Sequence, residues 1–336
     1  MEESLDSDVN FYRGHTFAAS TNRTYSAQKL VYFEFCNKLA ISPVPLSQDN
    51  LGRYIAYLSR KLCFTSVRQY LNIVRILHVE AGLPNPLENN WYVSSILKGV
   101  RRVKGDKSQQ KLPITLDILR EIFKRLDLLC SFDRSFWAAC LVAFYSFFRK
   151  SNLLIPSIEA FDPKKHLCAS DVSFTPDGMV LLVRWSKVIQ FQERTLQIPL
   201  PRIPNSAFCP SNALLGLLFE HPHENSPVPL FRYREGSSCL PLTQTSFTKR
   251  LHEVLTLSGL PFDRYSNHSF RRGGAMFALN CGLPVDLIKL QGDWRSNACE
   301  RYLEPSFGLR KQVAATLGAN TSTIFSRACV GGVPDG

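Results

Sequence analysis

His268 and Arg271 stand three residues apart in the segment HSFRRGG, and the same stretch goes on to offer an indole at Trp294 and a phenol at Tyr302. Residues at that spacing share one face of a helix. Arg supplies a planar fork of donors that fits phosphate oxygens, His can move a proton near neutral pH, and a Tyr hydroxyl can act as a nucleophile. The combination points to chemistry on a phosphodiester. A pair of ordinary amphipathic helices with solvated polar residues would carry the same letters, and nothing inside the stretch decides between the two.

Two cations elsewhere could complete such a site. Arg149 follows the nearly uncharged run SFWAACLVAFYSFF from Ser135 to Phe148, which reads as a buried helix and is too short to span a bilayer. An Arg at the end of a buried helix is costly to place unless it snorkels to water or meets an anion. Lys187 closes the run RWSK, near what reads as the tip of a β-hairpin. A hairpin lysine is ordinarily just solvated, so it gains meaning only in company.

The elements that must position these residues follow from periodicity. Residues 1–20 are polar and read as a tail. Apolar residues then repeat at helical spacing in four segments: Tyr25 to Leu39, Leu51 to Leu62 behind the N-cap Ser47, Val67 to Leu77, and Trp91 to Val100. These predict a compact helical bundle over residues 21–103. The charged run from Arg101 to Lys111 has no apolar period and reads as a linker, with the boundary over residues 104–112. Thr115 opens the next helix as its N-cap. From Asp171 the period changes to two, which predicts a small antiparallel sheet: Val172 and Phe174, then a strand from Met179 to Ile189, then Leu196 to Leu200. Residues 201 to 236 read as Pro-rich connection around one helix, Asn212 to Phe219, and Phe247 to Leu255 form a further amphipathic helix. The fold class is mainly α with a small antiparallel β-sheet: an all-α bundle followed by an α+β domain over residues 113–309. Residues 310–336 read as an extension or tail.

Charge narrows the partner. The 336 residues carry 40 Lys and Arg against 28 acids, a net charge of +12, which favours a polyanion, nucleic acid before membrane, because counterion release supplies affinity independent of sequence. Both parts share the excess. Outside the apolar stripes of the bundle and at its end lie Arg53, Arg60, Lys61, Arg68, Arg75, Arg101, Arg102 and Lys104. These are candidates to track DNA phosphates, although most such charges are simply a solvated surface. The ten cysteines show no C-x-x-C pair, a pattern that fits reduced thiols in an intracellular compartment. No metal site, membrane segment, secretory leader or nucleotide-binding glycine motif is expected.

Arg149, Lys187, His268, Arg271, Trp294 and Tyr302, in that order after a basic bundle, resemble the tyrosine recombinase family, the integrases and resolvases that cut and rejoin DNA. The likeness spans about residues 22–309. The wording FFRKSNLL, RWSK, HSFRRGG and GDWRSNACERYL is most similar to recombinases of DIRS-like and Crypton-like eukaryotic mobile elements. The resemblance implies a SAM-like core-binding domain and a catalytic domain that together clamp duplex DNA. It implies that Arg149 and Arg271 hold the scissile phosphate, Tyr302 attacks phosphorus to form a 3′-phosphotyrosine, and Lys187 protonates the leaving 5′ oxygen. His268 would assist proton movement and Trp294 would help position the phosphate. No cofactor is implied, since the phosphotyrosine conserves the bond energy for rejoining.

Four protomers on two DNA sites, and the nucleus if the host is eukaryotic, follow from the same likeness. Two departures from the family pattern stand out: Asn152 replaces an acid that many relatives carry three residues after the first Arg, and Trp294 to Tyr302 spans eight residues. Tyr265 is a second phenol near the motif. Two other functions remain open at this stage: a domesticated, inactive DNA-binding descendant, and a type IB topoisomerase that nicks, swivels and reseals.

Overall fold

Helical period dominates the chain, and the fold follows it. In the computed structural model, which describes residues 1–106, 110–191, 193–221, 227–295, 299, 311 and 314–317, the chain divides into two units, Met1–Gln109 and Gln110–Gly336.

The first unit is all helical: α1 (Glu2–Gly14), α2 (Ala19–Lys38), α3 (Gln48–Ser59), α4 (Phe64–Glu80) and α5 (Trp91–Lys104). Its core is built from the apolar stripes of α2, α3 and α4, with Tyr32, Phe35, Tyr54, Ile55, Val67 and Val74 buried. Helix starts are capped by side chains that satisfy otherwise orphaned amides: Ser47 accepts from Asn50 N at 3.3 Å and Asn90 from Val93 N at 3.1 Å. Buried His78 ties α4 to the loop between α2 and α3, its Nδ1 donating to Val74 O at 2.7 Å and its Nε2 accepting from Leu46 N at 2.9 Å. Two expectations change here. Residues Glu2–Gly14, expected as a tail, are helical, although none of them is buried; Leu5, Val9 and Tyr12 do recur at helical spacing, and Glu2 and Glu3 favour the helix start. Arg101 to Lys104, expected in the linker, form the last turn of α5.

The second unit is organised around α7 (Ser131–Tyr145), whose residues from Ser135 to Phe144 are all buried. Against it pack α9 (Pro210–Glu220), α11 (Asn267–Asn280) and the strand β4 (Arg232–Glu235). Strands β1 (Val172–Thr175), β2 (Gly178–Val183) and β3 (Leu196–Pro201) form an antiparallel sheet in that order, with Val172 opposite Leu181 and Met179 opposite Leu200. The unit also holds helices α6 (Leu116–Phe123), α8 (Lys150–Leu153), α10 (Gln244–Leu257) and α12 (Val285–Gln291). Thr115 caps α6, accepting from Ile118 N at 3.3 Å.

Three boundaries differ from the sequence reading. Helix α7 stops at Tyr145 rather than running to Phe148: Ser146 Oγ turns back onto Val142 O, and Phe147 adopts a left-handed φ of +53°. Strand β2 stops at Val183 rather than Ile189, because Arg184 leaves the ladder to pair with buried Asp171. The stretch expected as connection before Gly236 holds β4, which pairs with β5 (Ser238–Pro241) in a hairpin; its residues, RYRE and SCLP, lack the alternation that marks a half-buried strand. Leu112, at the end of the expected linker, is fixed by its N–H to Arg264 O at 2.7 Å. No helix among the described residues is long and apolar enough to cross a membrane.

Candidate active site

Helix α11 carries the first two site residues and is fixed by its own sequence. Ser266 and Ser269 cap each other's amides, with Ser266 also accepting from His268 N at 3.3 Å. Phe270 is driven into the core. The paired glycines of HSFRRGG are explained by close backbone contact. A Cβ on Gly273 would lie 1.8 Å from Ile114 O, and one on Gly274 would lie 2.0 Å from Phe144 O. The helix therefore lies directly against both the incoming segment at Ile114, whose N–H donates to Ser269 O at 2.9 Å, and the end of α7.

That approach seats Arg271, only 2% exposed. Its Nη1 donates to Phe147 O, the carbonyl exposed by the left-handed turn after α7, and its Nη2 donates to Gly292 O at 2.8 Å. Its Cζ lies 3.7 Å from the ring centroid of Trp294, a stacking geometry that a planar guanidinium satisfies and an ammonium does not. Gly292 is required here as well, since a Cβ would lie 1.8 Å from the Trp294 ring. Trp294 is buried, packed with Phe147, Ile288 and Cys299. Arg272, the second arginine of the motif, faces elsewhere: its Nη1 donates to Lys111 O at 2.8 Å and anchors the incoming chain.

Arg149 occupies the N-cap of α8, just past the Phe147 turn. It lines one pocket with Asn152, Ser186, Arg271, Gly292 and Asp293. Two guanidinium groups from residues far apart in sequence thus share a recess. Asn152 is buried there, and its amide oxygen has no hydrogen-bond partner among the described residues, so no carboxylate at this position offsets Arg149. His268 registers the same charge. Burial, followed by the guanidinium groups of Arg271, Arg149 and Arg272, pulls its pKa from the usual 6.5 down to about 4. At pH 7 its imidazole is neutral.

Lys187 sits with Val188 at the tip of a tight turn closed by Ser186 N to Ile189 O at 3.2 Å and Ile189 N to Ser186 O at 3.0 Å. It is exposed, and Ser186 beside it lines the pocket. Tyr302 lies outside the described residues, as does most of the segment after residue 309. Tyr265 is a core residue at 5% exposure, burial raises its pKa, and it does not line the recess of Arg149 and Arg271. Among the described residues, His268, Arg149, Arg271 and Trp294 therefore belong to one cluster, with Lys187 one residue away from its pocket lining.

The basic candidates of the first unit do not form one stripe. Lys104 Nζ donates to Leu62 O at 3.0 Å, Arg101 pairs with Asp106 at 2.7 Å and stacks 5.8 Å from the Phe64 ring, so the end of α5 meets the turn that bears Arg60 and Lys61. Arg53, Arg68 and Arg102 are exposed. Arg75 stands apart, half-buried, its Nε donating to Asn72 Oδ1 at 2.9 Å in a groove it shares with Arg13 and Lys29. Sequence reading missed Gly273, Gly274, Asp293 and Arg194; the glycine doublet was the one signal available, and its meaning depends on which backbones it meets.

No protein-family model matches the chain, and no characterised protein matches it in sequence. Solved structures do match in fold. A Tn1549 transposon integrase in complex with transposon right-end DNA superposes with a TM-score of 0.61 at 11% identity, over 94% of this chain and 98% of that one. A lambda integrase dimer bound to a core site gives 0.60 at 13% identity, over 90% and 95%. The XerH site-specific recombinase bound to palindromic difH substrate gives 0.59 at 16% identity, over 84% and 75%. At such identities the likeness is one of fold.

Proposed function

We propose that this chain is a tyrosine recombinase that exchanges DNA strands through a covalent 3′-phosphotyrosine. The observation that carries the reading is the recess in which Arg149 and Arg271 converge beside a neutral His268, on a fold shared with DNA-bound integrases. An in-line displacement at phosphorus spreads negative charge over the equatorial oxygens, and two guanidinium groups already in place oppose that charge without reorganisation. Arg271 is pre-set by two carbonyls and the Trp294 face, so it loses little freedom when phosphate arrives.

Tyr302 Oη would form the new bond to phosphorus while the bond from phosphorus to the 5′ oxygen breaks. A phenol with an ordinary pKa of about 10 is a poor nucleophile at pH 7, so the phenolic proton must move away, and His268, whose pKa a bound phosphate raises by offsetting the arginines, is the neutral acceptor in the cluster. Lys187 would deliver a proton to the departing 5′ oxygen. Religation reverses both transfers. Four protomers on two duplex sites, a mobile-element origin of the DIRS or Crypton type, and a nuclear site of action in a eukaryotic host extend the same reading.

A suicide substrate nicked just beyond the cleavage point tests it, because the freed fragment cannot religate. Wild-type protein should accumulate a covalent adduct and Tyr302→Phe none. Failure of the wild type to form adduct, while still binding the duplex, would instead favour the DNA-binding descendant; relaxation of plasmid lacking any specific site would favour the topoisomerase.

A further inference from the structure

The loop between β2 and β3 carries Lys187, and the segment Gly292 to Arg295 grips Arg271. These two stretches are joined by charge. Arg194 donates through Nη2 to Asp293 Oδ1, and Arg295 donates through Nη2 to Glu193 Oε1 at 3.2 Å. The pairs are nested in sequence, so adjacent residues of the loop meet residues on both sides of Trp294. The Arg194 pair is the sheltered one, with side-chain exposures of 35% and 14%. At its other end the loop is held by Arg184, which pairs with buried Asp171 through both guanidinium nitrogens and with Pro163 O at 2.9 Å.

An exposed ion pair such as Glu193–Arg295 contributes about 0–1 kcal/mol of stability, whereas a misplacement of about 1 Å at a reacting group costs about 100-fold in rate. Asp293 also adopts a left-handed φ of +49°, a conformation that Asp and Asn tolerate better than most residues. The turn aims its carboxylate at Arg194 while its neighbours present a carbonyl and a ring to Arg271.

We propose that Arg194–Asp293 and Glu193–Arg295 are positioning pairs that set the Lys187 turn against the Arg271–Trp294 phosphate site. They act through Lys187 and touch no reacting atom. The proposal rests on the strand-transfer reading above, in which Lys187 protonates the 5′ oxygen. It places control of the proton donor in the segment that also holds the phosphate, so the two halves of the site are set together.

Replacing the bridging 5′ oxygen of the scissile phosphate with sulfur separates the possibilities, because a thiolate leaves without being protonated. Arg194→Gln should cleave the oxygen substrate about 10- to 100-fold more slowly than wild type and the sulfur substrate at the wild-type rate. The exchange Glu193→Arg with Arg295→Glu should restore oxygen cleavage relative to Glu193→Arg alone. Equal slowing on both substrates, or no slowing on either, overturns the proposal while leaving the strand-transfer reading intact. Lys187→Ala is the internal reference: if sulfur does not rescue it, the assignment of Lys187 as proton donor falls, and the positioning role with it. No adduct from wild type on either substrate would overturn the strand-transfer reading itself.

Discussion

Arg271 and His268 sit one turn apart on α11, yet burial has opposite consequences for them. The guanidinium stays charged at any physiological pH and is held by the Phe147 and Gly292 carbonyls and the Trp294 ring. The imidazole titrates, and burial with three nearby guanidinium groups holds its pKa near 4. The sign follows from the lowered value. Between pH 6.5 and 4 the unfolded chain takes up a proton that the folded protein does not, so His268 makes folding stability fall as pH drops through that window and leaves it level above. A bound phosphate opposes the arginines and should raise the His268 pKa. By NMR the imidazole should therefore titrate near pH 4 in the free protein and higher when DNA is added. An unshifted midpoint near 6.5 in the free protein would show that His268 does not share a site with Arg149 and Arg271.

At the scale of elements, the site depends on how closely α11 approaches its neighbours. Gly273 and Gly274 meet backbone oxygens, which cannot swing aside as a flexible side chain can. Gly273→Ala or Gly274→Ala should destabilise the second unit by about 1–3 kcal/mol or more, as overpacking does, and displace Arg271 from Phe147 O. Gly99 in α5 has nothing within 4 Å of its Cβ position, so Gly99→Ala should be neutral or stabilise by up to about 1 kcal/mol through helix propensity. Thermal melts of the three variants check the contrast; equal behaviour would mean that α11 is not seated as described. Phe147 and Asp293, both at positive φ, reveal a second element-level device. Each turns the chain just where a carbonyl must face Arg271, at Phe147 itself and at Gly292 before Asp293.

For the whole molecule, the dominant property is a net charge of +12. If the basic surface of the first unit tracks DNA, log affinity should fall linearly with log salt, with a slope of about −0.9 per phosphate neutralised. Arg60→Ala and Lys61→Ala should each flatten that slope by about one unit. A filter-binding or fluorescence titration at several salt concentrations measures this, and a slope near zero would remove the electrostatic contribution from the account.

Periodicity along the chain determined where the small sheet begins, which residue types could meet a phosphate and most of the long helices, though not α1. Those are local properties, written in spacings of two, three and four residues, and Ser47 and Thr115 cap as their letters indicate. Tertiary packing alone decided the rest. Arg149 and Arg271 share a recess only because glycine lets α11 lie against the end of α7, and Tyr265 packs into the core instead of lining that recess. Residues 193, 194, 293 and 295 look like ordinary surface charges until the loop and the Trp294 segment are brought together. A contact between residues about a hundred positions apart leaves no period for a sequence to display; it exists only through the backbones that pack between them.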